Sequence, residues 1–538
     1  MRPFYENFPF FCIFLCLLSG VLTTLIHDGR KAYRVCLGAL LLSCAMSFTV
    51  FVNTAASGTY FSYAMGAFPA PWGNELRSGP IESLLASVFC LVIVLSLMGG
   101  RHDWQLDILP EKQNLYFIMQ DLLAASILAL CYTNDIFTGY VFIEINTIAA
   151  CSIVMARDCG QTITATIRYL FMSLVGSGLF LFAAAILYTV TGHLLMPSLQ
   201  PAVTKLYELG DERFVLSVIA GMMCVGLMIK SALFPFHTWL PTAHGSATTS
   251  SSAVLSGVVL KGYIMLLIKV ICRVFTPEQF SEFGSGSIML VLGAGAMIFG
   301  SVCAVRETHS KRMIAYSSVA QIGYIYLGLG LCTEAGIAAA VFQILAHAFT
   351  KPLLFVSTGG LIDASGHRKK LYFLRGAARR CPMAGIGFTI GGLSMVGLPL
   401  LAGFVTKLTL GQAALAEQIP SWQMITALTA IAISSLLNAW YYLPPSSSYG
   451  RAARYLNWKG KRSTSARRTA SPASALKFPS SASASARLAW AASAVWCFSC
   501  CRAASPYCER RKIGYEYMAS ASSSACLCGG CLCRPQSG

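Results

Sequence analysis

Charged residues are scarce in this sequence, since only 12% of its 538 residues are Asp, Glu, Lys or Arg and 55% are hydrophobic. Soluble globular domains carry about 25% charged residues, so this chain lacks the side chains that several water-exposed domains would need. The alternating pattern of barrel strands is also missing, whereas continuous apolar runs of about 20 residues recur. The composition therefore excludes a soluble protein and predicts an all-α, polytopic bundle of membrane helices.

Motifs for redox chemistry are absent as well. No Gly-x-Gly-x-x-Gly dinucleotide-binding segment and no ferredoxin-like run of cysteines occurs before residue 445. The cysteines of this part, such as Cys12, Cys16 and Cys131, are scattered through apolar runs without the spacing of metal ligands, so we interpret them as small apolar residues. We expect no cofactor, no metal and no redox centre in this chain.

Thirteen apolar runs are long enough to cross a bilayer, and we predict a transmembrane helix for each. Their ranges are 8–26, 35–52, 81–99, 115–132, 136–155, 168–190, 214–234, 249–272, 286–305, 315–331, 337–361, 383–411 and 421–443. The first run is too long for a signal peptide and lacks a cleavage site of small residues, so we expect it to be retained.

Basic residues are divided unequally between the two sets of alternate loops. With the N-terminus outside, the inside loops hold sixteen Lys or Arg and the outside segments hold five. Because cytoplasmic loops are rich in Lys and Arg, we predict a multi-pass protein of the cell (inner or plasma) membrane with its N-terminus outside. The net charge of +18 then needs no nucleic-acid partner.

The composition changes after about residue 445. The region 446–538 is rich in Ser and Ala, has 14 basic and two acidic residues, and offers only the weak candidate span 488–504. We weigh a disordered basic tail, a metal-binding tail and a segment translated out of frame. The metal-binding interpretation would use Cys526, Cys528, Cys531 and Cys533 and is disfavoured, because no His or acidic residue lies among them.

Charged side chains inside the predicted spans are the strongest functional signal. They are Glu144, Lys230, Lys261, Lys351 and Lys407. Each costs about 2.5–3.5 kcal/mol at a helix centre, so they must face polar partners or water inside the bundle. Glu144 is the only acidic residue that we place at mid-membrane depth, and its pairing with and separation from a lysine would switch a proton. The alternative is a set of structural ion pairs, or lysines that snorkel from helix ends, as we expect for Lys269.

Histidines near these lysines add groups that exchange protons near neutral pH. His347 lies one helical turn before Lys351 and on the same helix face, while His237 and His244 follow Lys230. A histidine on an apolar face is otherwise more often structural.

Two of the lysine-containing spans are interrupted by Pro and Gly, in the segments FPFHTWLP and GLPLLAGF. Interrupted helices at corresponding positions of two halves indicate an inverted-repeat transporter. We therefore predict an N-terminal region at 1–112, followed by two inverted five-helix repeats at 113–272 and 286–443.

Four segments resemble the signature segments of the proton-translocating antiporter-like subunits. They read KSALFPFHTWLPTAH, KRMIAYSSVAQIGYI, LAHAFTKPLLFVSTGGLI and GLPLLAGFVTK. Such subunits occur in NADH:quinone oxidoreductase, in membrane-bound hydrogenases and in Mrp-type multisubunit Na⁺/H⁺ antiporters, whose D-type subunit is the most similar in character. The resemblance covers about 115–443.

The resemblance implies roles for individual residues. It places the family's acidic residue of the fifth helix on Glu144, the lysine of the first broken helix on Lys230, and the connecting lysine of the eighth helix on Lys261. The His-x-x-x-Lys pair of the eleventh helix falls on His347 and Lys351. In the family these groups form two half-channels that are joined by a polar axis along the middle of the membrane.

The resemblance also covers the second broken helix, whose lysine falls on Lys407. Lys311 matches a basic position before the tenth helix, where loop positioning and ion handling both remain open. The usual Ala-Pro-Thr-Pro stretch reads Ala-Thr-Thr-Ser at 247–250, and Ser256 or Gly257 stands where a histidine is common. Family members commonly carry fourteen helices, one more than predicted here, which favours the out-of-frame interpretation of the tail.

Three functions are consistent with these observations. The first is an ion-translocating subunit of a hetero-oligomeric cation/proton antiporter that exchanges protons, with sodium as the expected counter-ion. The second is a proton-pumping membrane-arm subunit of an NADH dehydrogenase (quinone)-type or hydrogenase-like complex, whose redox chemistry would lie in other subunits. The third is a structural membrane subunit that does not transport. In each case the partners are the lipid bilayer and other membrane subunits, and the transported ion stays open.

Overall fold

The apolar runs form α-helices in the computed structural model, which describes residues 3–68, 73–210 and 212–450. A helix satisfies the hydrogen bonds of its own backbone, which a lipid environment requires. The helices of the first part are α1 Phe8–Thr24, α2 Gly29–Ser57, α3 Pro80–Gly99, α4 Arg101–Asp107, α5 Gln113–Tyr132, α6 Ile136–Met155, α7 Gly160–Thr191, α8 Met196–Leu209, α9 Arg213–Lys230, α10 Trp239–Ser246, α11 Thr249–Val254, α12 Leu260–Lys269 and α13 Pro277–Glu282.

The second part continues with seven helices. They are α14 Ser285–Arg306, α15 Ser310–Gly330, α16 Glu334–Ala364, α17 Ala377–Arg380, α18 Pro382–Val396, α19 Ala402–Ala414 and α20 Ser421–Gly450. Two short strands, β1 Phe61–Ala64 and β2 Glu75–Ser78, form an antiparallel hairpin between α2 and α3, with Phe61 opposite Ser78.

Eleven helical segments of the described chain are long and apolar enough to cross a membrane. The predicted span 315–331 falls on α15, a helix of 21 residues that begins with two basic residues and is almost entirely buried. The predicted span 383–411 is divided into α18 and α19, which have 15 and 13 residues. The chain is therefore a polytopic helical membrane protein.

The predicted interruptions are present. α9 ends at Lys230 and the chain becomes helical again only at 236–246, while α18 ends at Val396 and α19 begins at Ala402. A further irregularity lies in the predicted span 249–272, where wider π-helical turns occupy Leu255–Val259 and Val270–Val274. Such turns often occur at functional positions. The span contains no proline from which they could have been predicted.

The predictions for the tail lie almost entirely outside the described residues. α20 extends to Gly450, whereas the weak span 488–504 and the group Cys526, Cys528, Cys531 and Cys533 fall beyond it.

Small residues allow α14 and α15 to approach closely. Glycines recur every seven residues on α14 and face a matching row on the antiparallel α15. The facing pairs are Gly286 with Gly330, Gly293 with Gly323, and Gly300 with Tyr316. At Gly293 even a methyl group would lie 2.9 Å from the Gly323 carbonyl oxygen, so backbone rather than side chains forms this interface.

Adding a methyl group to this interface should lower stability. In Gly323→Ala the new methyl would lie 2.5 Å from the carbonyl oxygen of Gly293, and overpacking typically costs about 1–3 kcal/mol. We expect a lower melting temperature of the purified protein in detergent. Gly178→Ala is the matched control, because nothing lies within 4 Å of a methyl group at that exposed position of α7. Equal melting temperatures for the two variants would contradict the close glycine packing.

Candidate functional site

Glu144 and Lys230 meet at the contact of α6 with α9. The Lys230 ammonium lies 3.5 Å from Glu144 Oε1 and donates a hydrogen bond to Thr147 Oγ1 at 2.7 Å. Lys230 is 1% exposed whereas Glu144 is 24% exposed, so the carboxylate lies at the margin of the bundle and the ammonium inside it. The structure therefore brings together the two residues that the sequence singled out first.

Hydroxyl groups extend this pair into the interior. Thr147 Oγ1 lies 3.2 Å from Ser173 Oγ on α7 and 3.5 Å from the Tyr263 hydroxyl on α12. The Lys230 ammonium also lies 5.7 Å from the centre of the Tyr263 ring, within the range of a cation–π contact. Four helices thus contribute to one polar cluster around a single ammonium group.

The end of α9 positions Lys230. The next residue, Ser231, donates its hydroxyl proton to the Leu227 carbonyl at 2.9 Å and lies 2.7 Å from the Tyr326 hydroxyl. Ala232 then adopts a left-handed backbone with φ +58°, which ends the helix. The ammonium therefore sits at a helix C-terminus, where the backbone dipole favours positive charge.

Lys261 lies near the start of α12 and is fully buried. Its ammonium donates to the carbonyl oxygen of Ser256, which belongs to the π-helical turn just before it. The Ser256 hydroxyl in turn lies 2.9 Å from the Ser318 hydroxyl on α15. The irregular turn thus supplies the acceptor that the lysine needs, and it contains both Ser256 and Gly257, the two candidates for the position at which the resemblance places a histidine.

Lys351 is buried on α16 and binds three oxygen atoms. Its ammonium donates to Ser317 Oγ at 2.7 Å, to the Ile314 carbonyl at 3.1 Å and to the Tyr442 hydroxyl at 3.4 Å. His347 lies one turn earlier, is also fully buried, and hydrogen-bonds no described residue through either ring nitrogen. Both imidazole nitrogens of His347, one helical turn from Lys351, are therefore uncommitted to a described protein partner.

Lys407 lies on α19 and binds the broken end of α18. Its ammonium donates to the Val396 carbonyl at 2.5 Å and to the Met395 carbonyl at 3.2 Å. Gly397 follows with φ +91°, and a methyl group there would lie 3.0 Å from the Lys407 nitrogen. The glycine predicted to interrupt the helix therefore also makes room for the lysine.

The secondary candidates are distributed around this row. His244 on α10 is buried and stacks on Phe355 with ring centres 4.7 Å apart, whereas His237 packs against Phe299 at 5.2 Å. Lys311, at the start of α15, is 4% exposed and donates to the Ala247 carbonyl at 3.3 Å, at the junction of α10 and α11. Lys311 thus ties the start of α15 to the chain that follows the first interrupted helix.

One prediction from the sequence is wrong. Lys269 does not snorkel to the membrane surface: it is 1% exposed, and its ammonium binds the carbonyls of Leu130, Cys131 and Thr133 at 3.0, 2.6 and 2.7 Å. These are the free carbonyls at the end of α5, so Lys269 caps a helix C-terminus. A lysine near the end of an apolar run signals either arrangement, and only packing distinguishes them.

A second correction concerns acidic residues, since Glu144 is not the only one at mid-membrane depth. Asp121 lies in the middle of α5 and is fully buried. Asp121 lies inside the predicted span 115–132, so an acidic residue among apolar neighbours was the sequence signal for it, as it was for Glu144.

The lysines differ in their partners. Within the described chain, Lys230 has a carboxylate within 4.0 Å, whereas Lys261, Lys351 and Lys407 contact carbonyl and hydroxyl oxygens. A proton on the first amine is stabilised by an opposite charge, and protons on the others only by neutral dipoles. The arrangement can therefore hold protons at successive buried amines under unequal electrostatic conditions.

The structural role of Lys269 can be separated from the others by stability. Lys269→Met removes an ammonium bound to three carbonyls, and hydrogen bonds to charged groups contribute about 1.5–3 kcal/mol each. We expect the melting temperature of the purified protein in detergent to fall more than in Lys261→Met, whose ammonium binds one carbonyl. If Lys269→Met melts no lower than Lys261→Met, the capping role is refuted.

This chain is similar in sequence to known membrane proteins. Residues 133–436 match the family described as "NADH:quinone oxidoreductase/Mrp antiporter, TM". NADH-quinone oxidoreductase subunit N of Desulforudis audaxviator is 31% identical over 436 residues, which cover 80% of this chain and 83% of that protein. The D-type subunit of the Na⁺/H⁺ antiporter of Bacillus subtilis is 24% identical over 80% of this chain and 85% of its own length.

Solved structures show the same fold. A chain of the archaeal membrane-bound sulfane sulfur reductase superimposes with a TM-score of 0.78 at 24% identity, over 96% of this chain and 97% of that chain. A chain of the Mrp complex from Dietzia sp. gives 0.78 at 20% identity, over 98% of both chains. Because the family match spans more than half of the sequence and a relative of 31% identity is covered over most of its length, this chain belongs to the NADH:quinone oxidoreductase/Mrp antiporter transmembrane family.

Proposed function

We propose that this chain is an ion-translocating membrane subunit of a multisubunit cation/proton antiporter, with Glu144, Lys230, Lys261, His347, Lys351 and Lys407 as the groups that move protons. The contact of Glu144 with Lys230, at 3.5 Å and at a helix interruption, is the observation that carries the proposal. A charge pair of this kind inside a membrane is rare unless it serves transport.

The pair can act as a gate because its electrostatic energy depends on a short distance. Two unit charges 4 Å apart interact with about 4 kcal/mol at an effective dielectric constant of 20, and doubling the separation halves that energy. A change of about 2 kcal/mol alters the proton occupancy of the amine roughly 30-fold. A movement of α6 or of the end of α9 by a few ångströms would therefore protonate or deprotonate the Lys230 amine.

The remaining groups provide places for the proton to go. Lys261 contacts Ser256, whose hydroxyl meets Ser318 on α15, and the adjacent Ser317 contacts Lys351. The two neighbouring serines thus connect the amine of α12 with the amine of α16. Lys407 lies at the far end, on the second interrupted helix.

A second candidate is a proton-pumping membrane-arm subunit of a redox complex. The observation in its favour is the 31% identity to a subunit N of NADH-quinone oxidoreductase, compared with 24% to the D-type antiporter subunit of Bacillus subtilis. Both candidates use the same buried groups, and they differ in the driver, which would reside in other membrane subunits of a hetero-oligomer. Neighbouring genes for flavin or iron–sulfur subunits would favour the pump, and genes for several small membrane subunits would favour the antiporter.

For the architecture we propose thirteen membrane helices, with the inverted five-helix repeats at 113–272 and 286–443 after an N-terminal region at 1–112. Corresponding interruptions after Lys230 and after Val396 support the repeat, since the chain becomes helical again after each of them, at 236–246 and at Ala402–Ala414.

Removing the gate should abolish transport. In everted membrane vesicles that contain the complete complex, we expect Lys230→Ala and Glu144→Gln to lose the cation-dependent or substrate-driven pH gradient, measured by quenching of a weak-base dye. Lys230→Ala removes the amine that carries the proton at the interruption. Glu144→Gln replaces the carboxylate with a neutral amide, which cannot stabilise the proton on the Lys230 amine.

Lys205→Ala is the matched control, because this exposed lysine lies on α8 outside the buried row. It should transport normally, and all variants should assemble to wild-type levels. Normal transport by both Lys230→Ala and Glu144→Gln would establish the structural, non-transporting interpretation instead.

The proposed orientation, with the N-terminus outside, can be tested at Cys159, which caps α7 in a loop with Arg157 and Asp158. Burial raises the pKa of the Cys159 thiol, but hydrogen bonds from Thr162 and the charge of Arg157 outweigh it, and the pKa lies below its ordinary value. Since the thiolate is the reactive form, a membrane-impermeant maleimide should modify Cys159 rapidly in everted vesicles and slowly in right-side-out vesicles. Peptide mapping should show buried Cys151 unmodified. Faster modification of Cys159 in right-side-out vesicles would show instead that the N-terminus lies inside.

A further inference from the structure

Asp121 is a buried carboxyl group that lies outside the row of lysines. It is the ninth residue of the 20-residue helix α5, about 12 Å from the start of that helix at 1.5 Å per residue. Its side chain is fully buried where α5 packs against α1, and a methyl group at Gly20 of α1 would lie 3.6 Å from the Asp121 Cβ. The carboxyl group is therefore at membrane depth and enclosed by protein.

The surroundings of Asp121 contain neutral groups. Ser19 of α1 donates its hydroxyl proton to Oδ2 at 2.8 Å. The thiols of Cys16 on α1 and Cys36 on α2 are the titratable groups that neighbour the Asp121 carboxyl group. Oδ1 hydrogen-bonds no described residue. In the described chain no Lys, Arg or His forms an ion pair with this carboxyl group.

This environment differs from that of Glu144, which has the Lys230 ammonium at 3.5 Å. An ionised carboxylate that is buried without a cation is strongly unfavourable, and such a group takes up a proton instead. A carboxylic acid needs only the kind of neutral donors and acceptors found around Asp121.

Hydroxyl and thiol groups continue from Asp121 along the contact of α1 with α2. Cys16 Sγ lies 3.4 Å from Ser43 Oγ, the Cys12 thiol donates to the Ser43 carbonyl at 3.5 Å, and Cys12 Sγ lies 3.4 Å from Ser47 Oγ. All of these side chains are buried, and on each helix they are separated by one turn. A polar row thus leads from the middle of α5 toward the end of the bundle at which α1 begins.

We propose that Asp121 is a second proton-binding site of this chain, which takes up and releases a proton separately from the Glu144–Lys230 pair. The ligand is the proton itself, and the row of thiols and hydroxyls between α1 and α2 is its route toward the side of α1's first residue. The inference goes beyond the proposed function, because proton binding at Asp121 does not require that Lys230 translocates ions.

Infrared spectroscopy of the complete complex tests the site directly. The difference spectrum between wild type and Asp121→Asn should contain the C=O stretching band of a protonated carboxyl group at neutral pH. In a titration up to about pH 10, the band should weaken about tenfold for each pH unit above its midpoint. The side-chain amide introduced by this substitution retains an acceptor for Ser19, so the variant is expected to fold, and its melting temperature checks this.

A chemical probe gives an independent readout. Dicyclohexylcarbodiimide is apolar and adds to protonated carboxyl groups, so it should modify Asp121 at neutral pH and less at alkaline pH, as measured by mass spectrometry of the peptide. Glu144 in the same sample is the internal comparison and should be modified less, because its carboxylate faces an ammonium group. Ser43→Ala should slow proton exchange at Asp121 without changing the amount of protonated carboxyl.

Two results would overturn the inference. Absence of the carboxyl band in a folded wild-type complex would mean that Asp121 is ionised, and a band that does not change with pH would mean a permanently held proton. Both results are separate from failure of the proposed function, since Lys230→Ala should leave the Asp121 band unchanged whether or not that variant transports.

Discussion

A lysine ammonium in a membrane protein must find oxygen atoms inside the bundle, and this requirement organises the structure. Regular helices offer almost none, because each backbone carbonyl is already bound to an N–H four residues later. Three of the buried lysines therefore bind carbonyl oxygens where helices are irregular: Lys407 at the broken end of α18, Lys261 at a π-helical turn and Lys269 at the end of α5. Each irregularity that weakens a helix also supplies the carbonyl oxygen that makes a buried positive charge tolerable.

The helices, their interruptions and the buried charges could largely be predicted from the sequence, because apolar runs, prolines, glycines and charged residues are all visible in the local sequence. The apolar runs mark the helices, and Pro235 and Gly397 lie at the two interruptions. The expectation that Glu144 pairs with a lysine followed from the cost of leaving either charge alone at membrane depth, and the structure identifies that lysine as Lys230. These inferences needed only the position of a residue in its own span.

What the sequence could not show depends on which helix packs against which. Lys269 looks like a lysine at a helix end, and only the neighbouring end of α5 shows that it is a cap. Asp121 lies inside the predicted span 115–132, so its position at membrane depth is visible in the sequence, but only the packing of α1 against α5 shows that its partner is a neutral hydroxyl group. The π-helical turn before Lys261 likewise has no proline in its own span that would predict it, and Gly257 of this turn lies against Pro352 of α16.

The close glycine contacts of α14 with α15 have a mechanical consequence. Since backbone touches backbone at three levels, the two helices form a stiff hairpin that can tilt or turn only as one unit. Ser317 and Ser318 are successive residues on that hairpin, yet one holds the Lys351 ammonium and the other meets Ser256 beside Lys261. A rotation of the hairpin would therefore change the contacts of both lysines at once. The protonation of Lys261 and that of Lys351 would then be linked through the rigid hairpin as well as through the serine contacts.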